Sequence, residues 1–281
     1  MRTTIQQVKD FKAKGEKFAM LTAYDYSTAQ IVDRAGIPLI LVGDSLGTVI
    51  LGYDSTIPVT MEDMIHHTKA VVRGTENALV VGDMPFMTYH ISIEETLRNA
   101  ARFIQEAGAH AVKLEGGVTV ADKVKKLVDC GIPVMGHIGL TPQSINQLSG
   151  HKIQGRTIEA ARRLLADAKA LEEAGAFAVV IETMPSELSA YITSKINIPT
   201  IGIGAGPGCD GQVQVISDLL GLFTDFVPKH TKQYARLAGL MAEGVTAYAN
   251  DVRNSAFPTA QQSFTLDSSI MEALRQENET A

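Results

Sequence analysis

Short apolar segments of strand length alternate with longer amphipathic segments along most of the chain. The short segments are apolar at nearly every position, as expected for strands that are buried on both faces of a parallel sheet. The longer ones, such as residues 61–73, 93–107 and 158–174, carry apolar residues at helical spacing. This alternation predicts a parallel α/β fold. The predicted strands are residues 18–22, 38–42, 78–81, 111–114, 133–135, 177–181, 200–203 and, as the weakest run, 222–227.

A short internal repeat marks the junction between helix and strand. Residues 106–115 (EAGAHAVKLE) align without a gap on residues 173–182 (EAGAFAVVIE). In both segments a glycine follows a predicted helix, where the left-handed conformation that often ends a helix costs glycine least. The module recurs without an intervening linker, which indicates one closed (β/α)8 TIM barrel rather than two domains.

The domain boundaries follow from where this alternation ends. We predict a barrel catalytic domain over residues 1–250, with a last helix at residues 232–249, and a C-terminal helical tail over residues 251–281. The tail is polar, with one amphipathic stretch near residues 270–274. We expect it to be partly disordered or to pack on a neighbouring subunit.

Composition and charge narrow the classes of function. The 281 residues carry a formal net charge of -6, which gives no basic surface for nucleic acid or an anionic membrane. Cys130 and Cys209 lack the spacing of a disulfide framework or a thiolate zinc site. The first residues lack the apolar core of a signal peptide, and no apolar run reaches the length of a membrane span. We therefore expect a cytoplasmic protein with small-molecule partners.

Polar side chains stand at the carboxyl ends of the predicted strands. In a (β/α)8 barrel the chemistry lies at that face, because the loops there vary freely above a packed core. We therefore expect these residues to surround a common pocket. They are Asp44 and Ser45 after the second strand, Asp83 after the third, Lys113 and Glu115 on the fourth, His137 on the fifth and Glu182 on the sixth.

The two aspartates can be interpreted in two ways. Asp44 and Ser45 could cap a helix or form a turn, and Asp83 could be a turn residue. As a pair on adjacent strands, however, Asp44 and Asp83 supply the oxygen ligands that a hard cation such as Mg²⁺ prefers. Magnesium commonly takes one or two protein carboxylates and completes its shell with water and substrate oxygens.

The remaining strand-end residues also have structural alternatives. Lys113 and Glu115 could form a surface ion pair, but their spacing places both side chains on one face of the strand. His137 could be a buried, hydrogen-bonded histidine with no catalytic role. Glu182 could cap the following helix, or it could act as a general base.

Two further patterns have weaker implications. The glycine-rich segment at residues 202–206 could bind phosphate, as loops after the seventh barrel strand often do, or it could form a tight turn. It lacks the Walker lysine and the Rossmann context, so we do not expect a nucleotide cofactor. His66 and His67 are adjacent on a predicted helix, which favours a structural role.

Six segments in this order and spacing resemble the ketopantoate hydroxymethyltransferase family. The resemblance covers roughly residues 3–248. The segments are TAYDY at 22–26, VGDSLG at 42–47, GDMPF at 82–86, VKLEG at 112–116, GHIGLTPQ at 136–143 and IGIGAG at 201–206.

The resemblance implies a barrel of the phosphoenolpyruvate/pyruvate type that assembles as a homodecamer. It also implies transfer of a one-carbon unit from 5,10-methylenetetrahydrofolate to 3-methyl-2-oxobutanoate in pantothenate biosynthesis. Carried over by position, the Mg²⁺ ligands are Asp44 and Asp83, with Glu115 near the metal. The oxo-acid contacts are Asp44, Ser45, Asp83 and Lys113, His137 lines the pocket, and Glu182 is the proton acceptor.

Two other functions remain as alternatives. The first is a lyase or hydrolase of the same superfamily that acts on a phosphonate or a small dicarboxylate through the same Mg²⁺ and enolate. Such enzymes commonly carry an acid or nucleophilic cysteine in a strand-end loop. Cys130 precedes a strand and Cys209 has no basic neighbour, which disfavours that class. The second is a non-enzymatic scaffold, for which gaps in the ring of strand-end polar residues would be expected.

Overall fold

The computed structural model describes residues 1–279 and contains a closed barrel of eight parallel strands. The strands are β1 (Phe18–Thr22), β2 (Leu39–Val42), β3 (Leu79–Asp83), β4 (Ala111–Glu115), β5 (Val134–Gly139), β6 (Ala178–Glu182), β7 (Thr200–Ile203) and β8 (Gly211–Gln214). The α-helices are α1 (Ile5–Lys14), α2 (Tyr26–Arg34), α3 (Leu46–Val49), α4 (Met61–Arg73), α5 (Ile93–Gln105), α6 (Ala121–Asp129), α7 (Ile145–Leu148), α8 (Ile158–Glu173), α9 (Ser186–Thr193), α10 (Ile216–Leu219), α11 (Leu237–Arg253) and α12 (Ser268–Glu279).

The predicted (β/α)8 TIM barrel is confirmed. Strand neighbours follow chain order, and β1 pairs with β8 to close the sheet. Strands β2, β3 and β4 are buried along their whole length, which explains why their sequences are apolar nearly throughout. Parallel pairing in this order brings all eight carboxyl ends to one face of the barrel.

The eighth strand is not where the apolar pattern places it. Residues 222–227 form no strand, and Phe226 and Val227 are exposed. The strand that closes the barrel is β8, with the sequence Gly-Gln-Val-Gln. Only Gly211 and Val213 of this strand are buried, so it alternates and lacks the continuous apolar run that marks the other strands.

The helix-to-strand module predicted from the internal repeat is also present. The segments predicted at 61–73, 93–107 and 158–174 form α4, α5 and α8 to within two residues of these bounds. Gly108 and Gly175, which lie between a helix and a strand in the two repeats, have φ of +74° and +93°. Glycine is the residue that adopts this left-handed backbone without a steric penalty.

A helix side chain ties α4 to the barrel face where β1 ends. His67 Nδ1 lies 2.6 Å from the carbonyl oxygen of Tyr24, to which the ring N–H donates. His66 is exposed. These positions agree with the structural role expected of the pair.

The chain folds as two compact units, the first being Met1–Tyr234, and the second beginning at Ala235. The second unit contains α11 and α12, so the boundary predicted at residues 250/251 falls within α11. Within residues 1–279, no helix is both long and apolar enough to cross a membrane.

Candidate active site

The strand-end residues predicted from the sequence lie together around one small cavity of about 120 Å³. It opens at the carboxyl ends of the barrel strands, and its walls include apolar side chains such as Leu41, Val180 and Val213. The predicted residues that line it are Asp44, Ser45, Asp83, Lys113, Glu115, His137 and Glu182.

A buried ion pair joins β3 to β4. Asp83 is the register partner of Lys113, and Lys113 Nζ lies 2.8 Å from Asp83 Oδ1. The two side chains are 4% and 1% exposed, so the interpretation of Lys113 as part of a surface pair is wrong. The separation is short, but Oδ1 accepts no aligned hydrogen bond, so the contact is mainly one of charge.

The charges around this pair control its ionisation. Burial alone would lower the pKa of Lys113, but the neighbouring carboxylates, Asp83 foremost, outweigh it and hold the pKa above its usual range. The lysine is therefore an ammonium. Burial raises the pKa of Asp83 to about 7, because Lys113 offsets only part of the desolvation and Asp44 adds repulsion.

Asp44 follows β2 and faces the same cavity. Its backbone N–H donates to Asp83 Oδ2 at 3.2 Å, which links the two strand ends. Burial and the negative charge of Glu115 raise the pKa of Asp44, although Lys113 acts in the opposite direction. Ser45 makes no side-chain capping bond to α3, so the capping interpretation does not hold for it.

The Ser45 hydroxyl has another partner. Its Oγ lies 2.8 Å from the hydroxyl oxygen of Tyr24, a fully buried residue at the end of β1. Burial raises the pKa of Tyr24 above its already high ordinary value, so the phenol keeps its proton. This contact fixes the serine hydroxyl beside Asp44.

His137 on β5 lies between two glutamates. Its Nδ1 is 3.4 Å from Glu115 Oε1, and its Nε2 is 3.1 Å from Glu182 Oε2. Neither contact is an aligned hydrogen bond, since Nε2 has no partner in suitable geometry. Burial and Lys113 lower the pKa of His137, but the two carboxylates outweigh them and raise it to about 9. His137 Nδ1 also lies 3.3 Å from the Lys113 ammonium, a contact in which the imidazole nitrogen accepts the hydrogen bond.

Gln143 belongs to the same site and was not among the residues predicted from the sequence. It is 3% exposed and lies in the long connection after β5. Its side-chain Nε2 donates to Asp44 Oδ2 at 2.9 Å, and its backbone N–H donates to Glu115 Oε2 at 3.1 Å. The Tyr89 hydroxyl donates to its Oε1 at 2.6 Å. The only signal for this residue in the sequence is its place in the segment GHIGLTPQ.

A larger cavity of about 910 Å³ adjoins the first one. The two share Gln214, and Thr183 and Gly204 of the larger cavity are chain neighbours of Glu182 and Ile203 in the smaller. Gly204 and Gly206 have positive φ, and a Cβ on Gly206 would overlap Ser186. The glycine-rich segment therefore forms the tight turn that was one of its two interpretations.

The donor set fits a divalent cation bound by few protein ligands. Glu115 Oε1 is buried and has no hydrogen-bond partner, and Asp83 Oδ1 has only the charge contact with Lys113. Within residues 1–279, no three His, Cys, Asp or Glu side chains converge closely enough to form a metal site by themselves. Two carboxylates completed by water and substrate oxygens are an ordinary arrangement for Mg²⁺.

Comparison with protein families and curated proteins gives one consistent result. The profile of the family described as ketopantoate hydroxymethyltransferase matches residues 2–260. A 3-methyl-2-oxobutanoate hydroxymethyltransferase from Dehalococcoides mccartyi is 69% identical over 98% of this chain and 99% of its own length. One from Chloroflexus aurantiacus is 60% identical over 95% of this chain and 94% of its own.

Solved structures share the fold at low sequence identity. A putative phosphonomutase from Burkholderia cenocepacia has a TM-score of 0.61 at 16% identity, covering 76% of this chain and 93% of its own. A phosphonopyruvate hydrolase, solved in complex with oxalate and Mg²⁺, has a TM-score of 0.58 at 14% identity over 100% of this chain and 97% of its own. At these identities the likeness establishes the fold alone.

Proposed function

The chain is an enzyme of the ketopantoate hydroxymethyltransferase family, and we propose that it moves a one-carbon unit from 5,10-methylenetetrahydrofolate to 3-methyl-2-oxobutanoate through a Mg²⁺-dependent enolate. The family activity, in pantothenate biosynthesis, follows from the match over residues 2–260. The folate donor, the metal and the residue roles are the proposal.

The observation that carries the proposal is the charge of the small cavity. Carboxylates outnumber basic side chains around it: Asp44, Asp83, Glu115 and Glu182 line the cavity together with Lys113 and His137. Burial raises the pKa of Asp44 and that of Asp83, and repulsion from a neighbouring carboxylate adds to the shift of each. A site with this excess of carboxylate is suited to a divalent cation.

Asp44 and Asp83 would hold Mg²⁺, with Glu115 beside them. When bound, the metal supplies Lewis-acid polarisation of the 2-oxo group, which favours loss of the C3 proton. Lys113 and the Ser45 hydroxyl face the same space and would bind and orient the oxo acid. The Lys113 ammonium offsets its negative charge.

Glu182 is the proposed proton acceptor. Its side chain, 16% exposed, projects from the end of β6 into the cavity, and β6 is otherwise apolar and buried. His137 contacts its Oε2 at 3.1 Å and orients the carboxylate. Proton removal leaves an electron pair at C3, and that carbon attacks the one-carbon unit of the donor.

The small cavity has room for the oxo acid but not for a folate. A donor of that size must therefore approach from outside, and the adjoining cavity of about 910 Å³ offers space next to Glu182 and Gln214. The new C–C bond forms at C3 as one C–N bond of the one-carbon unit breaks, and the nitrogen released takes up the proton removed from C3. Water then displaces the second C–N bond, its oxygen becoming the hydroxyl and its proton going to the other nitrogen, so that tetrahydrofolate leaves.

The proposal is tested by incubating the purified protein with both substrates and Mg²⁺ and measuring 2-dehydropantoate. We expect product only when the oxo acid, methylenetetrahydrofolate and a divalent cation are all present, and none after chelation. If turnover is the same with and without a chelator, the proposed metal requirement is wrong. If turnover is the same with and without methylenetetrahydrofolate, the proposed one-carbon donor is wrong.

The lyase or hydrolase alternative predicts a different result. Such an enzyme would cleave a phosphonate or a small dicarboxylate and would not need a one-carbon donor. The family match and the high identity to named hydroxymethyltransferases disfavour it. Cytoplasmic location stays a prediction from the sequence.

A further inference from the structure

One buried glutamine connects three strand ends of the site. The Gln143 amide Nε2 donates to Asp44 Oδ2 at 2.9 Å and to the Met84 carbonyl at 3.0 Å. Its Oε1 accepts from the Tyr89 hydroxyl, and its backbone N–H reaches Glu115 Oε2. Both polar atoms of the side chain, Nε2 and Oε1, therefore form hydrogen bonds within the site.

The neighbours allow only one orientation of this amide. The Tyr89 oxygen accepts the backbone N–H of Glu115 at 3.2 Å, so its own hydrogen is directed to Gln143 Oε1. On the other side the amide faces a carboxylate oxygen and a carbonyl oxygen, both of which only accept. A flipped amide would place an acceptor against two acceptors, so the NH₂ group must point at Asp44.

We propose that Gln143 is a positioning residue that selects which oxygens of Asp44 and Glu115 remain for a divalent cation and the oxo acid. Its side-chain amide donates to Oδ2 of Asp44, and its backbone N–H, which the side chain holds in place, donates to Oε2 of Glu115. Glu115 Oε1 is left buried without a hydrogen-bond partner. The inference rests on the proposed function, because it assigns Gln143 to the metal carboxylates of that site.

The physical reason is the repulsion between the two carboxylates. Asp44 and Glu115 are 5% and 3% exposed, so water screens their charges little. A neutral donor between them satisfies one oxygen of each without adding charge, so the carboxylates keep fixed orientations while the cation is absent. Partners of this kind, which hold metal ligands without touching the metal, commonly change metal affinity 10-fold to 100-fold when they are replaced.

The test is Gln143→Met, which keeps the length of the side chain and removes both polar groups. Binding of Mn²⁺ alone, and of Mn²⁺ with 3-methyl-2-oxobutanoate, is measured by calorimetry without folate. We expect about 10-fold to 100-fold weaker metal binding. We also expect the rate of C3 proton exchange to recover largely at saturating metal, because a positioning residue changes the metal requirement more than the maximal rate.

The matched control is Gln147→Met, which replaces an exposed glutamine in the same connection. It should bind metal as the unaltered protein does. Tyr89→Phe removes the hydroxyl that orients the amide and that also accepts the backbone N–H of Glu115, and it should weaken metal binding in the same direction by a smaller factor. Thermal unfolding of each variant is recorded alongside.

The outcomes separate this inference from the proposed function. Metal affinity within two-fold of the unaltered protein in both Gln143→Met and Tyr89→Phe overturns the positioning role, whatever happens to their thermal stability. If Gln143→Met does not fold, Tyr89→Phe decides the question by the same criterion. If the unaltered protein binds no divalent cation, the metal proposal itself fails and this inference fails with it.

Discussion

Asp44 and Asp83 are buried carboxylates, and burial raises the pKa of both. Repulsion adds to this effect, from Glu115 at Asp44 and from Asp44 at Asp83, and Lys113 compensates only part of it. Electrostatic interactions of this kind are strong because the site is largely removed from water. A cation bound between them would replace this repulsion with attraction. Substitution of either aspartate should therefore weaken the binding of Mg²⁺ and the oxo acid, and the loss of turnover should follow from that weaker binding.

Asp44→Asn tests this directly. The amide keeps the shape but lacks the charge that the cation requires, so Mg²⁺ and oxo-acid binding should both weaken by about 100-fold or more. Calorimetric titration of metal with and without 3-methyl-2-oxobutanoate measures both effects. Hydroxymethyl transfer should fall with them.

Asp54→Asn is the control, because Asp54 is an exposed carboxylate in the connection that follows Asp44. It should leave binding and turnover unchanged. Near-normal turnover of Asp44→Asn at low Mg²⁺ concentration would contradict the assignment of Asp44 as a ligand.

The polar residues at the strand ends predicted most of the residues that line the small cavity, for a specific reason. Charged residues at the ends of apolar strands are unusual, so Asp44, Asp83 and Glu182 could be recognised without a structure. Gln143 could not, because a glutamine in a long connection carries no comparable signal. Its role depends on the path by which that connection crosses the barrel mouth.

At the scale of the elements, Asp33 joins α2 to the turn that precedes β3. Its carboxylate accepts backbone N–H groups from Glu76, Asn77 and Ala78, the shortest at 2.7 Å. Burial acts to raise the pKa of Asp33, but these donors outweigh it and hold the pKa below its ordinary value. The charged form therefore stabilises the fold.

The depressed pKa gives this stabilisation a defined pH dependence. The unfolded chain binds a proton at Asp33 more readily than the folded chain, so the contribution is fully present above the ordinary pKa of about 3.9 and is lost as pH falls through the lower folded value. Asp33→Ala should lower the free energy of unfolding at pH 7 by about 1.5–3 kcal/mol, the usual scale for hydrogen bonds to a charged group. The difference from the unaltered protein should shrink as the medium is acidified toward and below pH 4.

Urea unfolding at several pH values and one protein concentration measures both quantities. Asp129→Ala is the control, because that carboxylate makes only an exposed pair with Lys125 and should contribute little at any pH. A destabilisation by Asp33→Ala that stays the same as the pH falls well below about 3.9 would show that the carboxylate charge is not responsible.

The strands also show where a local pattern of apolar residues fails to predict the structure. Seven strands are apolar over most of their length and were predicted at or near their observed positions. Strand β8 has two glutamines in four residues, and the more apolar residues 222–227 form no strand. Its place is determined by pairing with β1 and β7, which is a long-range property that a local apolar count does not contain.

At the scale of the whole molecule, the repeated module explains why the fold class could be predicted. Helix, glycine turn and buried strand recur around the barrel, so the local error at β8 leaves the architecture unchanged.

The surface of α11 supports a prediction about assembly. Leu240, Met241 and Val245 on this helix are exposed in the described chain. Exposed apolar side chains on one helix are typical of a surface that another subunit covers. We expect a large homo-oligomer with closed symmetry, decameric as the family resemblance implies.

Sedimentation at micromolar concentration tests the assembly. The expected mass is several times the 30.2 kDa of the chain. Met241→Asp, which places a charge on the same helix, should favour smaller species if α11 lies in an interface. A monomeric mass for the unaltered protein would contradict the prediction.

The central claim is that Glu182 removes the C3 proton of a metal-bound oxo acid, and proton exchange measures that step without the folate reaction. In D₂O with Mg²⁺ and no folate, the unaltered protein should exchange the C3 proton of 3-methyl-2-oxobutanoate, as followed by NMR. Glu182→Gln should still bind Mg²⁺ and the oxo acid. Its rate of C3 proton exchange should fall by about 100-fold or more, the usual scale for loss of a general base. Glu187→Gln, an exposed carboxylate on α9, should exchange normally. Exchange by Glu182→Gln at the rate of the unaltered protein would contradict the claim.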